Sequence, residues 1–101
     1  MANIQLKIVD EGLKADQHTF VERLREALSA QGFFIAEPAE ITLKVKFCVD
    51  DGHEKVLLLV RETESKQKLA EDVILYFPWS WTEKAVDASV SLLHQAVAEH
   101  H

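Results

Sequence analysis

The chain has one cysteine, three glycines, two prolines and one tyrosine among its 101 residues, and no run of consecutive lysines and arginines. One cysteine excludes an internal disulfide framework. Five scattered histidines do not meet the usual zinc-finger spacings. Gly12, Gly32 and Gly52 stand alone, so there is no glycine-rich loop to cradle phosphate. Neither G-x-S-x-G nor H-E-x-x-H occurs. Apolar runs are short, as at Val56 to Val60, against the roughly 20 residues that span a bilayer. The opening Met1-Ala2-Asn3-Ile4-Gln5-Leu6 alternates polar and apolar residues and has no cationic start before an apolar stretch. It therefore reads as lacking a signal peptide. The expected compartment is the cytoplasm, or the periplasm if a leader has been removed, with no membrane insertion. The net charge of −6 argues against nucleic acid as a partner, because phosphate binding needs clustered cations.

What is present is a chain 48% apolar and 28% charged, the composition of one globular domain over residues 1–101. Ile4, Leu6 and Ile8 recur at period two and predict a strand over Asn3 to Val9. Asp16 fits the N-cap of a helix whose apolar face is Phe20, Leu24, Ala27 and Leu28, with Val21 at its edge. Gly32 fits the left-handed position past the end of that helix. Phe33 to Ala36 follows as a short strand, stopped at Pro38. Ile41, Leu43, Val45, Phe47 and Val49 then alternate with Thr42, Lys44, Lys46, Cys48 and Asp50, a half-buried strand. Asp51-Gly52 suits a two-residue hairpin turn. Strands over Lys55 to Glu62 and Leu69 to Phe77 complete a meander. Ser80-Trp81-Thr82-Glu83 reads as a capping box. It opens a helix over Trp81 to Glu99, striped by Ala85, Val86, Ser89, Val90, Leu93, Ala96 and Val97. The pattern predicts an α+β two-layer sandwich in β-α-β-β-β-β-α order, an antiparallel meander with both helices on one face.

The hairpin can be checked against its own sequence. A turn at Asp51-Gly52 pairs Phe47 with Val56, Val45 with Leu58 and Leu43 with Val60, all apolar. A second turn centred on Ser65-Lys66 would pair Leu58 with Val73 and Val56 with Leu75. The opposite face then carries four rows: Thr42, Arg61 and Ala70; Lys44, Leu59 and Asp72; Lys46, Leu57 and Ile74; Cys48, Lys55 and Tyr76. Leu57, Leu59, Ile74 and Tyr76 form a large apolar surface for a solvated face, and contiguous patches of this kind mark association sites. The expected interface is Lys44, Lys46, Cys48, Leu57, Leu59, Ile74 and Tyr76, with Trp79 as an exposed aromatic anchor. A homodimer or another protein would occupy it. The competing structural account lets the lysine stems lie over the leucines, leaving a monomeric solvated face.

No residue set stands out for catalysis. Cys48 lies beside Lys55 in this register, and lysines favour a thiolate, but no base and orienting partner accompany it. A lone strand cysteine is more often an apolar filler. His18, His53, His94, His100 and His101 are too far apart for a metal set. The carboxylates at Asp50-Asp51-Gly52-His53-Glu54 fit hairpin chemistry better than a calcium loop. Trp81 is expected to seal one end of the core. The prediction is a protein with no enzymatic activity, no metal and no cofactor.

The strand Glu40-Ile41-Thr42-Leu43-Lys44-Val45, the turn Arg61-Glu62-Thr63-Glu64-Ser65-Lys66-Gln67-Lys68-Leu69-Ala70 and the helix Trp81 to Val97 resemble the amino-terminal domain of TolB and related envelope-assembly domains. The preceding strand, helix and Phe33-Phe34-Ile35 fit the same order. That resemblance implies protein–protein contacts without catalysis. Three strands followed by Ser80-Trp81-Thr82-Glu83-Lys84-Ala85-Val86-Asp87-Ala88 are similar to a double-stranded RNA-binding domain, which implies phosphate contacts from lysines opening the last helix. Here only Lys84 is present, between Glu83 and Asp87. The function expected is a non-catalytic interaction or assembly module acting through the open sheet face or an edge strand. The alternatives are a small acidic inhibitor covering a basic target surface, an RNA-binding-domain-like protein, or a thiol-dependent enzyme using Cys48.

Overall fold

A computed structural model describes residues 2–9, 15–50, 53–75 and 81–100. The elements are β1 (Ala2–Val9), α1 (Ala15–Ala30), β2 (Phe33–Ile35), β3 (Ile41–Asp50), β4 (His53–Glu62), β5 (Lys68–Leu75) and α2 (Trp81–His100). They form a five-stranded mixed sheet in the order β2-β1-β3-β4-β5 under two helices. This is the predicted α+β arrangement, with β1 parallel to both β2 and β3. The fit of α1 differs at its start: the helix begins at Ala15, so Asp16 lies inside the first turn and not ahead of it. Gly32 has φ 87°, the left-handed conformation expected after α1. Asp51-Gly52, Tyr76 to Ser80 and the proposed cap at Ser80 lie outside the described residues.

The alternation read from the sequence sorts the strands onto two faces. Ile4, Leu43, Val45, Val56, Leu58 and Val60 are fully or almost fully buried. They meet Phe20, Leu24 and Leu28 of α1 and Trp81, Ala85, Leu93 and Ala96 of α2 in one core. Ser89 is buried within this stripe and satisfies its hydroxyl by donating to the Ala85 carbonyl at 2.7 Å. Trp81 seals one end, with its ring centroid 5.3 Å from Phe20 and 6.2 Å from Phe47.

The connection from β2 to β3 passes across β1. Ile4 of β1 lies opposite Ile35 on one side and Ile41 on the other, so residues 36–40 must cross it at that level. The backbone N–H of Ala39 donates to Gln5 Oε1 at 3.0 Å. Gln5 alternates with the buried Ile4, so the crossover lies on the face away from the helices. Thr63 N–H donates to the Glu40 carbonyl at 2.8 Å, and the Thr42 and Thr63 hydroxyls are 2.7 Å apart. These contacts bury Thr42 and cover one end of the outer face.

The β3–β4 register is the predicted one, with Phe47 opposite Val56, Val45 opposite Leu58 and Leu43 opposite Val60. The β4–β5 register is not. Val56 lies opposite Ile74, Leu58 opposite Asp72 and Val60 opposite Ala70. The turn is a four-residue loop: Glu62 N–H donates to the Gln67 carbonyl and Lys66 N–H to the Glu62 carbonyl, with Lys66 at φ 62°. That loop alone moves the expected pairing by two residues and would keep each side chain on its face. Pairing then passes from Arg61–Lys68 to Val60–Ala70, leaving Leu69 as the extra residue of a bulge. One extra residue exchanges the two faces of β5. Ile74 therefore packs against the core, while Val73 and Leu75 point outward, 51% and 49% exposed.

Candidate interaction face

The outer face of β1, β3, β4 and β5 is built by strand alternation alone. Its rows read Gln5, Thr42, Arg61 and Lys68; Lys7, Lys44, Leu59 and Glu71; Val9, Lys46, Leu57 and Val73; then Cys48, Lys55 and Leu75. The helices pack on the opposite side, so the crossover is the only described connection that lies over this face. The face is left largely bare of the chain's own described elements.

Of the residues expected here, Lys44, Lys46, Cys48, Leu57 and Leu59 are on the face. Lys46 is exposed and the others are half-buried. Ile74 belongs to the core side, for the reason given by the bulge, and its place is taken by Val73 and Leu75. Tyr76 and Trp79 lie outside the described residues. Sequence reasoning missed Val73 and Leu75 because both alternating series of β5 contain apolar residues.

The face has two unlike halves. Lys7, Lys44 and Lys46 occupy β1 and β3, with Lys7 directly beside Lys44. Leu57, Leu59, Val73 and Leu75 occupy β4 and β5, where Arg61 and Lys68 stand at one end of the apolar band and Lys55 at the other. Adjacent strands are about 4.8 Å apart, so each half is a narrow band. By strand alternation six of the 11 lysines and arginines of the chain stand on this face, against two of its 17 carboxylates, Glu71 and Asp50. Lys68 meets Glu71 at 2.9 Å, an exposed pair of small energetic weight. Arg61 is half-buried, and its Nε has no hydrogen-bond partner among the described residues. Glu37 and Glu40 belong to the crossover at the covered end.

The helical side has no comparable single-sign surface. Glu22, Glu26, Glu83 and Asp87 mix there with Arg23, Arg25 and Lys84, and Arg23 pairs with Glu83. His94 sits over Phe33, with ring centroids 5.1 Å apart, and its Nε2 is 3.4 Å from Gln31 Oε1. Among the described residues no three His, Cys, Asp or Glu side chains form a metal cluster. Cys48 lies opposite Lys55. No helix is long and apolar enough to cross a membrane among the described residues.

With this geometry in place, two solved structures bear comparison. The fold is similar to that of part of TolB. TolB from Acinetobacter baumannii superposes with a TM-score of 0.63 at 13% identity, covering 96% of this chain and 28% of that one. A PelC dodecamer from Paraburkholderia phytofirmans gives a TM-score of 0.54 at 14% identity, covering 94% of this chain and 85% of that one. This chain thus spans little more than a quarter of the TolB chain it matches. No protein-family model matches it, and none of the curated proteins matches it in sequence. At these identities the likeness speaks to the fold. It agrees with the TolB-like resemblance carried by the β3 strand, the β4–β5 turn and α2.

Proposed function

We propose that this protein is a non-catalytic interaction and assembly module that binds another protein through the outer face of its sheet. The observation carrying this reading is the apolar band of Leu57, Leu59, Val73 and Leu75, which the described helices leave uncovered. Contiguous apolar surface of this kind is characteristic of association sites. The TolB and PelC likenesses support it, the second being to a chain solved as a dodecamer. The free edge of β5 is the weaker candidate. It carries Lys68, Glu71 and Asp72 and begins with a bulge, and charges and bulges are devices that discourage strand addition. An acidic inhibitor would need a carboxylate-rich surface, whereas the helical side is mixed in sign.

Site-specific photocrosslinking tests this reading. A photoreactive residue at Val73 or Leu75 should yield a discrete protein adduct in source cells. The same group at His18 or Glu22 on the outer side of α1 should yield none. Adducts from α1 positions alone would assign the interaction to the helical side and overturn the reading.

A further inference from the structure

The pairing of a cationic band with an apolar band fixes the chemistry of the occupant. Resting on the proposed interaction role, we infer that the outer face binds an acidic amphipathic segment of another protein, with apolar side chains on β4–β5 and carboxylates over Lys7, Lys44 and Lys46. The chain as a whole is acidic at −6, yet β1 and β3 set Lys7, Lys44 and Lys46 side by side on this face, and the carboxylates on its strands, Glu71 and Asp50, stand away from them. Sheet neighbours of the three lysines are Gln5, Val9, Thr42, Cys48, Leu57 and Leu59, none of which is a carboxylate. Complementary charge would come from the occupant, setting its orientation and speeding its arrival.

Size fits as well. A helix with its side chains is about 10–12 Å across, which matches two to three strands at about 4.8 Å spacing. Lying along the β3–β4 seam, it would meet lysines on one flank and leucines on the other. A second copy of this chain is disfavoured, because it would bring the same cations to the same face. Single-stranded RNA is disfavoured because sequence-tolerant binding uses aromatic platforms. The apolar band is aliphatic, and Phe34 stands on β2, across the crossover.

The test uses the full chain and a fluorescent helical peptide with leucines on one side and glutamates on the other, read by anisotropy. Three comparators are the same peptide with lysines for glutamates, the same peptide with serines for leucines, and a single-stranded RNA. The first peptide should bind best, and its binding should weaken as salt shortens the Debye length from about 10 Å at 0.1 M to 3 Å at 1 M. The triple variant Lys7→Glu, Lys44→Glu, Lys46→Glu and the double variant Val73→Ser, Leu75→Ser should each weaken it by about tenfold or more. Both sets replace side chains of the outer face, and circular dichroism is the check that each variant folds.

Equal binding of the serine comparator, tighter binding of RNA, or no binding of the acidic peptide would overturn the inference. So would light scattering that shows the free chain dimerising and the Val73→Ser, Leu75→Ser variant monomeric. In each of those cases a crosslink from Val73 to a protein other than a second copy of this chain would still uphold the broader interaction role, so the two failures are separable.

Discussion

Replacing Trp81 with alanine is expected to lower the free energy of unfolding by about 3–5 kcal/mol. Trp81 opens α2 and is 2% exposed. Its ring lies tilted against Phe20 at 5.3 Å and edge-on to Phe47 at 6.2 Å, while Phe20 and Phe47 meet edge-on at 6.0 Å. The three rings join α1, α2 and β3 in one cluster, so the cavity could not close by moving a single side chain. Small domains hold about 5–15 kcal/mol in all, so this variant should be near the limit of folding. Urea denaturation measures the loss as a fall in midpoint at an unchanged slope. Phe34→Ala is the internal control: Phe34 is 52% exposed on short β2, and its loss should matter little. A Trp81→Ala loss below about 1 kcal/mol would contradict the packing described here.

The second large effect separates two adjacent residues. Ile74→Asp should cost about 2–4 kcal/mol, because it places a carboxylate against the core. Val73→Asp should change stability by no more than about 0.5 kcal/mol, as a surface substitution does. Ile74 packs on the buried cluster opposite Val56, and Val73 faces out opposite Leu57. A regular β5 without the bulge at Leu69 would reverse the two results. Denaturation of both variants under one set of conditions therefore reads the register directly.

Legibility from sequence differed sharply between the two hairpins. The β3–β4 pairing follows from strict alternation, and every apolar pair it demanded is present. Asp50 lies opposite His53, which leaves the two residues that an Asp-Gly turn needs. The β4–β5 loop has no such signal. Its left-handed residue is Lys66, a type that does not advertise that conformation. Alternation in β5 is equally silent: one series holds Leu69, Val73 and Leu75, the other Ala70, Ile74 and Tyr76. Either could face a core. The bulge resolves this by sending Leu69 and Ala70 to the same side, and both contribute to the buried cluster or pack on it.

The place of β1 was also hidden, because its sequence shows a strand without showing its neighbours. The backbone answers through Ile4, which is paired on both edges, and through the crossover that carries the chain from β2 to β3 over Gln5. This arrangement sets Lys7 beside Lys44. The cationic band is thus a tertiary feature: Lys7 is far in sequence from Lys44 and Lys46. An overall charge of −6 conceals it, since the sum over a chain does not report where the signs lie. The candidate face was legible as a set of alternating residues, but its division into cationic and apolar halves required the strand order.

Solvent paramagnetic relaxation of methyl groups in the free chain tests the bareness of that face most directly. A soluble gadolinium chelate should broaden the methyls of Val73 and Leu75 most, those of Leu57 and Leu59 to an intermediate degree, and those of Leu43, Leu58 and Val60 least. Leu57, Leu59, Val73 and Leu75 shielded as fully as Leu58 would mean that the chain covers its own sheet on both sides, and the account would fail.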